Sequence, residues 1–373
     1  MSKYVFIFGA GASKHCGAPL MDEFINVSRT LFEGAHEFKP LFDAINYLQR
    51  IHSKTNLDLY NIESIFNLFE MSKLLGGIPG YNENKIDDLI VLLKKLIVNT
   101  LEAKTKYQPN AESILPKAPE MYHALFNRMF DSDHLNLKQE DLAFITFNYD
   151  LALDLSLTLF VGDDNFDYFL KQEKIEGEVV EGRKFQKDKI PLLKLHGSLN
   201  WGVILNEAEG GKPISGIDPI KLEFICREPE AQRNKNVINV SRYLSSAIGR
   251  KRNYDIVPLI VPPAWNKSQY HEQIQNVWKK AAEELSDAEH IFIIGYSMPE
   301  TDSFFKLLFG LGTINGPTLK TLAVINCDKE ETQSRFESFL GPGSLTPFEY
   351  ITKRFNADSI NKIAVIIKKD IMQ

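Results

Sequence analysis

Three cysteines in 373 residues, Cys16, Cys226 and Cys327, stand far apart and form no C-x-x-C pair. That excludes a disulfide framework and a four-cysteine zinc module, and it points to a reducing, cytoplasmic setting. No apolar run approaches the roughly 18–20 residues that a membrane helix needs. The strand-like stretch Tyr4 to Phe8 is too brief for a signal segment, so neither membrane spanning nor secretion is expected. Positive charge is not in surplus: 43 Lys and Arg against 49 Asp and Glu leave a net charge of −6. Direct nucleic-acid binding needs a local excess of cations and is not expected. Repeats and low-complexity tracts are also missing. The rest is an ordinary globular composition, 44% hydrophobic, in a chain long enough for one elaborated domain or two packed ones.

The chain opens on KYVFIFGAGAS, which reads as a strand, a tight turn and a helix N-terminus. From Met21 to Glu140 the apolar spacing becomes helical, as in Leu41, Phe42, Ile45 and Leu48, or Ile86, Leu89, Ile90 and Leu93, with a breaker at Gly76 to Gly80. This is a helical insertion, set at residues 23–140, within a domain made of 1–22 and 141–373. Strand signals return in LAFITFNYD, PLLKLHGS, IVPLIVPP, HIFIIGYS and LAVINCD, with helical stretches at Gln273 to Leu285 and Asp302 to Leu308. Apolar strands that alternate with helices predict an α/β fold with a Rossmann-like, doubly wound parallel sheet. Its ligand sits at the carboxyl ends of the strands. Ala357 to Lys369 is one more helix or strand.

Those strand ends carry the chemistry. Gly9-Ala10-Gly11-Ala12-Ser13 suits a pyrophosphate, since glycine lets the backbone approach closely and a helix N-terminus offers N–H groups to an anion. The dinucleotide fingerprint wants a third glycine where this chain has Lys14, and a second strand about 20 residues on where the helical insertion begins. An ordinary dehydrogenase is disfavoured on that count. The second strand ends in Thr146-Phe147-Asn148-Tyr149-Asp150, the third in Leu195-His196-Gly197-Ser198, and later ones in Gly295-Tyr296-Ser297 and Asn326-Cys327-Asp328. Taken singly, Asn148 is a turn former and His196 a satisfied structural histidine. Together on one sheet edge they suit a nucleotide and a reaction upon it.

These motifs, in this order, resemble the sirtuin fold, and more closely its bacterial sirtuin-like branch in antiphage defence systems. The resemblance rests on Gly9 to Ser13 with Gly17-Ala18-Pro19, on Thr146 to Asp150, on His196-Gly197, on Gly295-Tyr296-Ser297 and on Ile325-Asn326. Two features set the chain apart from the deacylases. Pro19 is followed by Leu20-Met21-Asp22 rather than Asp-Phe-Arg, and the paired C-x-x-C zinc module is missing. NIESIFNLFE around Glu63 and the stretch His196 to Trp201 look like the defence proteins.

The resemblance implies an NAD+ hydrolase that releases nicotinamide and ADP-ribose and depletes the cell's NAD. NAD is then the substrate, and no metal is expected. Asn148 would orient the nicotinamide ribose or the attacking water, and His196 would act as general base. Gly9, Ala10, Gly11 and Ser13 would hold the diphosphate, with Pro19 beside them. Gly295 and Ser297 would hold the adenine-side ribose and phosphates, and Asn326 the adenosine. Asp150, grouped with the cofactor-binding residues, either orders the loop beside Asn148 or caps the next helix. A homo-oligomer is expected, with a co-encoded partner such as a HerA-like ATPase or another defence protein. The alternatives are an NAD-dependent protein deacylase or ADP-ribosyltransferase, and a non-catalytic NAD or ADP-ribose sensor.

Overall fold

Tyr4–Phe8 (β1) alternates between the two faces of a sheet: Tyr4, Phe6 and Phe8 enter one core, Val5 and Ile7 the other. Burial on both faces is what a central parallel strand requires. The computed structural model describes residues 3–50, 58–108, 110–113, 115–170, 189–206, 212–219, 255–261, 271–299, 303–314, 317–328, 330–341 and 348–372. Within them β1 is joined by Leu142–Thr146 (β2), Phe166–Asp167 (β3), Ile190–Lys194 (β4), His290–Ile294 (β8), Thr321–Asn326 (β9) and Phe348–Thr352 (β10). The order is β10-β9-β8-β1-β2-β4-β3, with every pairing parallel. The chain winds outward from β1 in one direction and then returns beside it at β8 to wind the other way. The reversal between β1 and β8 makes this a Rossmann-like, doubly wound sheet.

One face is covered by Glu120–Phe130 (α5), Ala152–Val161 (α6) and Ala357–Ile371 (α10), which contribute Phe126, Leu157 and Ile363. The other is covered by His271–Asp287 (α7), Ser303–Gly312 (α8) and Glu330–Phe339 (α9), through Val277, Phe305 and Phe336. A third core lies in the layer formed by Phe24–Phe32 (α1), Lys39–Arg50 (α2), Ile62–Leu74 (α3) and Glu83–Lys104 (α4). It meets the sheet region through Tyr149, Leu151, Leu199 and Ile260. The apolar residues of the 23–140 stretch are thus shared between two cores, because α5 packs on the sheet. Local signals start the helices: the Asn61 side chain accepts from the Glu63 amide, that of Asn82 from the Lys85 amide, and Asn356 with Ser359 makes a capping box for α10.

One sequence expectation is corrected. IVPLIVPP was expected in the parallel sheet, but Asp255–Ile260 (β7) pairs antiparallel with Gly197–Asn206 (β5), which also pairs with Lys212–Pro219 (β6), in a separate three-stranded sheet. A short apolar run reveals burial and not its partner. The sixth full-length parallel strand is instead β10, whose mixed FEYIT sequence suits a sheet edge. The C-terminal segment is a helix, α10.

At the edge opposite the strand carboxyl ends, α10 is tied down by Asp370. Its carboxylate accepts from Lys3 Nζ and, at 2.9 Å, from the Tyr4 hydroxyl, and lies 3.2 Å from His290 Nε2. Burial alone would raise its pKa, but the hydrogen bonds from Lys3 and Tyr4 and the neighbouring positive charges outweigh that and hold it at about 2. A carboxyl depressed below its unfolded value of about 3.9 contributes stability above that pH, and loses the contribution as pH falls through the folded value. Asp370→Asn is therefore expected to lower the urea midpoint at pH 7, with the gap to the wild type closing between about pH 4 and pH 2. A gap independent of pH would show that the charge is not the source.

Candidate active site

Parallel register brings the functional strand ends into one layer: Phe8 stands beside Thr146 and Ile294, Thr146 beside Lys194, and Ile294 beside Ile325. A cavity of about 350 Å³ opens there. Ala10, Gly11, Asn148, His196, Gly295, Ser297 and Asn326 line it, together with Phe147, Tyr149 and Tyr296. The opposite wall comes from the helical layer: Leu20, Met21, Asp22 and Phe24, then Asn61, Ile62, Glu63 and Phe66 at the start of α3, and Ile97 of α4. Gly9, Ser13, Pro19 and Asp150 do not line the cavity. Pro19 is buried in the turn that leads to α1.

The glycine turn and the loop after β8 are locked together. Gly9 N donates to Ile294 O at 3.0 Å, Gly11 N to Gly295 O at 2.9 Å, and Gly295 N to Ile325 O at 2.9 Å. A Cβ on Gly9 would lie 2.6 Å from Gly295 O, and one on Gly295 would lie 2.3 Å from Ala12 N. Gly295 also has φ of +64°, which side chains rarely adopt. Close approach of two backbones therefore accounts for glycine at both positions. Asn326 extends the lock, donating from Nδ2 to Tyr296 O at 3.3 Å.

Asn148 is buried and braces the same turn. Its Nδ2 donates to Gly9 O at 2.9 Å and to Ser13 Oγ at 3.1 Å, and its backbone N–H donates to Thr146 Oγ1 at 3.1 Å. Gly9 O can only accept, so the atom facing it is the nitrogen. Both side-chain donors are thereby used, and Oδ1 is the group left for a ligand.

Asp150 Oδ1 accepts from Ala152 N at 3.0 Å at the start of α6. Asp150 is buried, and burial raises its pKa against the opposing pull of Lys194 and of the Ala152 hydrogen bond. It acts behind the cavity wall, at the start of that helix. His196 is also buried, its carbonyl accepts from Val261 N at 2.8 Å, and its ring packs edge-on against Phe147 with centroids 5.2 Å apart. Phe147 stacks on Tyr296 at 4.1 Å.

Several residues of the site had no sequence signal of function: Phe24 and Ile97 line the cavity and read as ordinary apolar helix residues. Lys194 did leave a signal: a lysine within the apolar run PLLKLHG, which is wholly buried in the fold. Among the described residues no group of three or more His, Cys, Asp or Glu side chains is arranged to hold a metal, and no helix is long and apolar enough to cross a membrane.

No protein-family model and no curated protein matches the chain. Solved structures of Sir2 enzymes do. One, bound to an inhibitor, 2'-O-acetyl-ADP-ribose and a deacetylated p53 peptide, is 11% identical with a TM-score of 0.40, over 98% of this chain and 93% of that one. A Sir2–p53 peptide–NAD+ complex is 10% identical with a TM-score of 0.41, over 98% and 92%. A third, solved for the mechanism and regulation of Sir2 enzymes, is 13% identical with a TM-score of 0.41, over 99% and 94%. At such values the similarity carries no argument about family or chemistry. By its own sheet order this chain is a doubly wound parallel α/β protein.

Proposed function

We propose that this protein is an NAD+ glycohydrolase that cleaves NAD+ to nicotinamide and ADP-ribose. The observation that carries the reading is Asn148 and His196 lining one cavity at the winding reversal, with Asn148 held so that only Oδ1 is left for a ligand. Gly9, Gly11 and Ala12 donate their amides within the fold, so diphosphate recognition at this turn falls to the Ala10 amide. Gly295 and Ser297 take the adenine-side ribose and phosphates, and Asn326 the adenosine.

The bond that breaks joins the nicotinamide nitrogen to C1′ of its ribose. Nicotinamide leaves with the bonding pair and becomes neutral, so no general acid is needed, and positive charge develops on the ribose. Water attacks C1′ while Oδ1 of Asn148 accepts one of its hydrogen bonds, and His196 receives the proton that the water loses. ADP-ribose is then free to leave. His196→Ala is expected to lower kcat about 10²–10⁴-fold, to flatten the acid limb of the pH–rate profile and to leave NAD binding nearly intact. Full activity across the pH range would remove His196 from the base role.

The first assay is the release of nicotinamide and ADP-ribose from NAD by the purified protein, followed by chromatography beside Asn148→Ala. A deacylase would instead yield an acylated ADP-ribose, an ADP-ribosyltransferase a modified protein, and a sensor neither. By resemblance to the sirtuin-like defence proteins, we assign the biological role to antiphage defence by NAD depletion. A homo-oligomer and a co-encoded partner such as a HerA-like ATPase belong to the same reading. The neighbouring reading frame, and the assay repeated with its product present, test it.

A further inference from the structure

A buried polar chain runs beneath the cavity. Lys194 ends β4 with no exposure, and its Nζ donates to Asp154 Oδ2 at 2.8 Å and to Asp150 O at 2.6 Å. Asp154, equally buried on α6, accepts at its other oxygen from the Tyr168 hydroxyl at 2.5 Å. Tyr168 accepts from Asn200 Nδ2 at 3.0 Å, and Asn200 Oδ1 accepts from Ser198 Oγ at 2.5 Å. Asp150 stands two residues beyond Asn148. Hydrogen bonds therefore run from the Asp150 carbonyl to Ser198, two residues beyond His196.

Taking two charges fully out of water is costly, and an apolar pair of the same volume often serves stability as well or better. Stability alone thus gives this pair little reason to exist. What distinguishes it is where its bonds end: on the backbone that follows Asn148, and on the strand that follows His196. Reactions on an oriented substrate respond to displacements of about 1 Å.

We infer that Lys194 and Asp154 are positioning residues, a buried ion pair that holds Asn148 and His196 in register; in its catalytic consequence this rests on the NAD hydrolase reading. The pair touches no substrate and acts through the Asp150 carbonyl on one side and Tyr168 and Asn200 on the other.

The decisive variant is the double substitution Lys194→Met with Asp154→Leu, which leaves no uncompensated charge. Lys194→Met alone strands the Asp154 carboxylate and serves only for comparison. Tyr168→Phe is the milder probe, removing one donor to Asp154. In the double variant we expect a wild-type melting temperature within a few degrees, kcat reduced about 100-fold with the KM for NAD within threefold, and at least tenfold faster amide hydrogen exchange in 147–151 and 197–200. Tyr168→Phe should follow in the same direction, about tenfold in kcat. Unchanged exchange in the two segments overturns the inference, as does a wild-type kcat in a folded double variant. If the wild type releases no nicotinamide, with or without its co-encoded neighbour, the hydrolase reading fails instead. The exchange measurement then decides the positioning claim by itself.

Discussion

Asn148→Ala is expected to lower NAD turnover about 10²–10³-fold while changing NAD binding by no more than a few-fold, the effect of losing one positioned polar group. The brace explains why the loss is not confined to one contact. Without Nδ2, Gly9 O and Ser13 Oγ each lose a buried donor, and the glycine turn loses its side-chain tie to the loop after β2. Asn148→Asp is a sharper test, because a carboxylate cannot donate and would set one acceptor against another 2.9 Å away at Gly9 O. It should be as slow as the alanine variant and less stable. Calorimetry of NAD binding, read beside nicotinamide release, separates the roles: parallel losses in both would make Asn148 a binding residue and remove its part in orienting the nucleophile.

Gly295→Ala should have a large effect on the fold for a single methyl group. The added carbon would meet Ala12 N at 2.3 Å and Gly11 C at 2.5 Å, both backbone atoms within the turn that the loop clasps. The φ of +64° adds a conformational penalty of about 1 kcal/mol for a residue bearing a Cβ. Overpacking of this kind costs about 1–3 kcal/mol or more, so a total loss of about 3 kcal/mol or greater is expected in urea denaturation. Gly34→Ala is the control: nothing lies within 4 Å of its added carbon, and its stability should shift by less than about 1 kcal/mol. Equal stabilities for the two variants would mean that the turn and the loop part freely, and the interlock would be no constraint.

Much of this fold is legible from residue order. Apolar runs that end in Gly9, Asn148, His196, Gly295 and Asn326 identify parallel strands and their functional edge, because strands covered on both faces have few other ways to be apolar throughout. What stays hidden has physical causes. IVPLIVPP is apolar for the same reason as the others, yet its partner is β5, since hydrophobicity records burial and not neighbour. FEYIT carries polar residues because it stands at an edge. The cavity's second wall, with Asn61 and Glu63, arises from packing between α3 and the strand ends, which no local spacing encodes. Asp154 sits within a helix of otherwise ordinary pattern, and its partner Lys194 lies 40 residues away in another element.

The reversal between β1 and β8 has a bearing on synthesis. The cavity draws its parts from Ala10 near the start of the sequence to Asn326 far along it, and the loop that clasps the glycine turn belongs to the strand made late. Contacts of such long range form slowly and only once both partners exist. A nascent chain that has emerged as far as β4 carries Asn148 and His196 but has no Gly295 against which to close the turn. On the proposed hydrolase reading, the chain is harmless on the ribosome that makes it and becomes competent only when translation has passed β9.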